Sequence, residues 1–134
     1  MYSDIARDIA TVLEDSGIGV FASSSDWGIY VHKEPTDPIN CITIYDLDGS
    51  AANTLQEKTA EYYLFQVRVR CSGFVGCREK LDEIDEVLNY KAPFTLDTTR
   101  YTSCTSAMNQ QFLGYNDNNQ AIMVKEYRGF RKEI

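Results

Sequence analysis

The chain has 134 residues, 43% of them hydrophobic and 25% charged, and a formal net charge of −7. That is the size and composition of a single domain able to bury a core without disulfides or a structural metal. The acidic balance argues against general nucleic-acid binding, where phosphate contacts supply most of the affinity, and no apolar run approaches the eighteen or so residues of a membrane-crossing helix.

The opening MYSDIARDIA lacks the basic start and apolar block of a secretion signal, so folding is expected in the cytoplasm where the chain is made. Ser3 and Asp4 open a predicted helix with Ile5, Ile9, Val12 and Leu13 on one stripe, and Ser16-Gly17 ends it. Ile18 to Phe21 is a short apolar piece. Residues 27–33 read as a strand, with Trp27, Ile29 and Val31 on one face, stopped by Pro35 and Pro38. CITIY, residues 41–45, is a second strand. Residues 46–60 form a connection long enough to be functional or mobile.

The organising stretch runs from Glu61 to Tyr90. Tyr63, Phe65, Val67, Val69 and Cys71 alternate with Tyr62, Leu64, Gln66, Arg68 and Arg70, and a period of two puts the first set on one face of a sheet. After Ser72-Gly73, the residues Phe74, Cys77, Leu81, Ile84 and Leu88 recur at helical spacing, with Glu79, Asp82, Glu83, Asp85 and Glu86 off the stripe. The short connection folds the helix back onto the Val67/Val69 face, and everything else packs around this pair. Beyond Pro93 the chain is strand material: Tyr101 to Ala107, Met108 to Tyr115, a polar turn at Asn116–Asn119, and Gln120 to Arg128 closing a hairpin.

No catalytic or metal-binding constellation stands out. His32, the single histidine, sits in a strand pattern with no nucleophile motif nearby. Cys41, Cys71, Cys77 and Cys104 form no CxxC pair and read as reduced, buried thiols. Asp46-Leu47-Asp48-Gly49 resembles a calcium loop only superficially, because Ala51 stands where the turn glycine belongs. Gly73-Phe74-Val75-Gly76 joins a strand to a helix and does not fit an RNA-clamping GxxG.

Charge is uneven along the chain: residues 1–60 hold three basic and ten acidic side chains, residues 61–134 ten of each. From charge alone a solvated distribution is the favoured reading. The alternative is that an acidic surface of one copy meets a basic surface of the next. Arg68 and Arg70 lie opposite the predicted core face, which is either an ordinary solvated sheet face or a polar surface for a partner.

The run ITIYD, a loop, YYLFQVRVRCSGF leading into EKLDEIDEVL, and FLGYNDNNQAIMVKEYRGF resembles the small minor capsid or tail-completion proteins of tailed bacteriophages, the tail terminators in particular. The resemblance implies an α+β fold, a largely antiparallel β-sheet with two α-helices packed on one face. It also implies a non-enzymatic virion protein with no cofactor, forming a ring, usually hexameric, that caps the tail tube and joins it to the head. The implied partners are other copies of the chain, the major tail tube protein and a head-connector or stopper protein. Arg68, Arg70, Tyr127, Arg128, Phe130 and Arg131 are the interface candidates, with Asp46 and Asp48 as acidic counterparts, and the 46–60 loop is expected to become ordered on assembly. A head-completion or stopper protein is the structural alternative. A small α+β enzyme or nucleic-acid-processing module is the alternative of another class.

Overall fold

The computed structural model describes residues 4–47 and 61–133. Helix α1 spans Ile5–Asp15 and begins where expected: the Asp4 carboxylate accepts a hydrogen bond from the Ala6 amide at 3.1 Å, satisfying one of the orphan N–H groups of the first turn. Its stripe of Ile5, Ile9, Val12 and Leu13 is buried. Helix α2, Phe74–Leu88, buries Cys77, Leu81, Ile84 and Leu88. Each fully buried Leu or Ile contributes roughly 1.5–3 kcal/mol, which anchors a helix whose outer face is solvated.

Both helices cover one side of a curled sheet whose path is β1 (Val20–Phe21), β2 (Gly28–Val31), β3 (Cys41–Asp46), β4 (Glu61–Cys71), β9 (Ala121–Glu133), β6 (Thr99–Tyr101) and β5 (Phe94–Leu96). The pairings β1–β2 and β2–β3 are parallel, and all others are antiparallel. The fold is therefore the expected α+β arrangement, with a parallel corner that alternation did not reveal. Val67 and Leu81 belong to the same core cluster, so the β4–α2 unit packs as read.

Strand β9 is the spine. One of its edges carries β4 in continuous register from Cys71↔Ala121 to Glu61↔Arg131. Three short strands share the other edge: β8 (Gln111–Tyr115), β7 (Thr105–Ser106) and β6. The expected strand over 101–107 is thus two pieces, and Tyr101 and Cys104, three residues apart, are both buried across the break. The β8–β9 turn forms as predicted, with the Asn116 side chain accepting from the amides of Asn118 and Gln120 at 3.0 and 2.9 Å.

Candidate functional site

The face of the sheet away from the helices divides into a covered half and an open half. The sequence left the Arg68/Arg70 face as a solvated or partner-binding surface; the structure closes it with residues 34–40. Arg70 is only 4% exposed. Its Nη1 donates to Glu34 Oε2 at 2.9 Å and to the Pro35 carbonyl at 2.7 Å, and its Nη2 donates to the carbonyls of Thr36 and Pro38 at 3.0 and 2.8 Å. Its Nε donates to the Ile39 carbonyl at 3.3 Å. A guanidinium has five N–H donors, and here each has an acceptor. Arg68 shares the same carboxylate, donating from Nε to Glu34 Oε1 at 2.8 Å. These arginines fasten a loop to the sheet.

Tyr127 and Arg131 are also internal, because both lie on the helix-covered side of β9. The Tyr127 hydroxyl donates to Asp85 at 2.7 Å, and its ring stacks on Phe65 at 5.4 Å. Burial, then the neighbouring Asp85 carboxylate, pushes the Tyr127 phenol well above the ordinary range. Arg131 donates from Nε to Glu61 at 3.0 Å and from Nη1 to the Tyr101 hydroxyl at 3.3 Å, and Tyr101 in turn donates to buried Asp8. This chain ties β4, β6, β9 and α1 together.

The remaining candidates separate. Arg128 and Phe130 are exposed on the open half, in register with Leu64 and Tyr62, and the rings of Tyr62 and Phe130 meet edge to face at 5.6 Å. Asp46 is exposed at the end of β3, opposite Phe65 and therefore on the other side of the sheet from Arg128. Asp48, and most of the 46–60 loop, lie outside the described residues.

Sequence reasoning missed a second surface. On β8, Phe112, Leu113 and Tyr115 are 40%, 54% and 55% exposed. A register shift between Phe112 and Gly114, with Gly114 at a φ of 104° that suits glycine, leaves the adjacent Phe112 and Leu113 both at the surface. The signal was present in QFLGY, where two bulky apolar neighbours cannot share one face of a regular strand. β8 pairs only with β9 among the described strands. Between it and the start of α2 lies an open cavity of about 290 Å³ lined by Phe74, Arg78, Gln110, Phe112 and Met123. Arg78 has no ion pair among the described residues.

The opposite end of the sheet carries exposed carboxylates, with Arg7 over the Phe21 ring at 3.6 Å and Lys80 over the Trp27 ring at 4.7 Å. Exposed Glu14, Asp15 and Asp26 surround β1, where Val20 is also exposed. The outward amide of Phe21 is already taken by Glu14 Oε2 at 3.0 Å, which blunts that edge against strand pairing. An apolar strand with Arg78 beside it and an edge bearing exposed Glu14, Asp15 and Asp26 thus stand at different ends of the chain's β1-to-β8 path.

Residues 12–128 match the family model described as bacteriophage tail terminator protein. Among solved structures, a chain of the "Virion of native gene transfer agent (GTA) particle" is similar in fold, with a TM-score of 0.64 at 11% identity, over 92% of this chain and 84% of that one. No curated protein matches the sequence. The family match covers most of the chain and includes β4, α2 and the β8–β9 hairpin, so the chain belongs to the bacteriophage tail terminator family and is a structural protein of the phage virion.

Proposed function

We propose that this single-domain subunit ends tail growth. Copies close into a ring, hexameric in the arrangement the resemblance implies, which caps the tail tube and joins it to the head connector. The observation that carries the reading is the pair of unlike surfaces at separate ends of one subunit. A closed ring is built from heterologous contacts, in which one patch of each copy meets a different patch of the next. The Phe112/Leu113/Tyr115 strand with Arg78 is one patch, and the Glu14/Asp15/Asp26 end is the other. The open face carrying Tyr62, Leu64, Arg128 and Phe130 remains for the tube or the connector; exposed aromatics beside arginine are the composition of protein interfaces.

Deleting the protein from its phage and imaging the particles tests the role. Overlong or aberrant tails are expected. Tails of normal length on heads that fail to retain DNA would overturn it in favour of a stopper. Self-association is tested by light scattering: Leu113→Glu is expected to keep the folded monomer and lose the oligomer, whereas an oligomer unaffected by it would remove β8 from the contact.

A further inference from the structure

Four cysteines are present, all free and buried, and two of them face each other across the junction of the organising strand and helix. Cys71 closes β4, and Cys77 sits in the first turn of α2. Their Sγ atoms are 2.7 Å apart, about 0.7 Å beyond the length of an S–S bond. The junction also lacks a side-chain cap. Gly73 is the N-cap of α2 and offers no side-chain hydrogen bond, leaving the first turn to the Cys77 amide bonded to the Gly73 carbonyl at 3.2 Å.

We propose that Cys71 and Cys77 are a disulfide-forming pair, reduced while the protein folds and assembles inside the cell and bridged in the virion after release. The compartments supply the direction, since cytosolic thiols are held reduced and extracellular ones oxidise. The inference rests on the protein's place in the virion and is independent of the ring. The oxidant is a low-molecular-weight disulfide. One cysteine, as thiolate, attacks it, forming a mixed disulfide and expelling one small thiolate. The second cysteine then attacks the protein sulfur of that mixed disulfide and expels the other. Two protein thiols are oxidised by two electrons, one small disulfide becomes two thiols, and the two cysteine protons go to the leaving groups. Burial holds the Cys77 thiol protonated far above its usual range, so reaction proceeds through opening of the first turn and is slow in the closed state.

The test uses the purified full-length chain, incubated folded with oxidised glutathione, quenched by alkylation in denaturant and mapped by mass spectrometry. Two of the four cysteines are expected to resist alkylation, with one peptide joining Cys71 to Cys77. The mass should fall by two hydrogens, the Tm should rise, and dithiothreitol should reverse all of it. Cys77→Ser should form no internal bridge, and Gly73→Asp, which caps the turn, should slow closure several-fold. Alkylation of every cysteine after prolonged exposure, or a bridge mapping to Cys41 or Cys104, overturns the proposal. Because the first measurement needs no variant, it stands even if Cys77→Ser misfolds.

Discussion

Arg70 illustrates how far a single side chain can depart from the role its position promises. In QVRVR the alternation gives the face correctly, yet what covers that face is a row of backbone carbonyls at Pro35, Thr36, Pro38 and Ile39, and carbonyls leave no mark in a sequence. Arg70→Ala removes one of the two arginines on the Glu34 carboxylate and the donor to four carbonyls; a loss of roughly 1–3 kcal/mol in urea unfolding is expected. Arg70→Lys should recover only part of it, because an ammonium cannot reproduce the five-donor fork. Arg128→Ala should leave the Tm unchanged while weakening assembly. The buried thiols and phenols make a second prediction at this scale. Burial raises the Cys41 and Cys104 thiols to about 11 and pushes Tyr63, Tyr101 and Tyr127 higher still. Above the unfolded pKa of each group the unfolded chain releases a proton that the folded chain keeps, so stability present at neutral pH is lost as pH rises. The decline should begin near pH 8.5–9 with the thiols and steepen beyond about 10 with the tyrosines, by up to ~1.4 kcal/mol per pH unit per group. Urea unfolding curves that superimpose from pH 8 to 11 would refute it.

Between elements, what was legible is what periodicity encodes. β4 and α2 declare themselves because a two-residue period turns into a three-to-four period across Ser72-Gly73, and α1 because a capping aspartate precedes its stripe. The parallel β1–β2–β3 corner was not legible, since the direction of pairing depends on how connections cross and not on which residues alternate. Exposure along β9 follows its phase: Arg128 and Phe130 fall on the outward side, Tyr127 and Arg131 on the inward one, so the four candidates do not form one surface. Two glycines give predictions here. Gly73 has extended backbone, and an added Cβ would meet nothing, so Gly73→Asp should supply the missing cap and favourable dipole charge, raising stability by roughly 0.5–1 kcal/mol in denaturant unfolding. Gly129 is the contrary case. A Cβ there would sit 2.0 Å from the Ser103 carbonyl oxygen and 2.7 Å from the Tyr63 hydroxyl, so Gly129→Ala should force β9 from the chain that flanks it and cost about 2 kcal/mol or more.

For the whole molecule, exposed Glu14, Asp15 and Asp26 lie around β1, and Arg78, without an ion pair among the described residues, lies beside the β8 cavity. If neighbours meet head to tail through these ends, Arg78→Glu and Asp26→Lys should each weaken self-association several-fold, and the two together should restore part of it, as sedimentation would report. Two single defects that simply add would rule that pairing out. Strand β9 has a further consequence. Its contact with β4 is one long uninterrupted ladder, whereas its other edge is tiled by three separate short strands. A change in β8, whose Phe112, Leu113 and Tyr115 are exposed, touches the ladder less than one in β6, whose Tyr101 is buried in the core. The outer margin of β9 is therefore assembled from separate pieces, each replaceable at its own cost, while the ladder to β4 stands or falls as a unit.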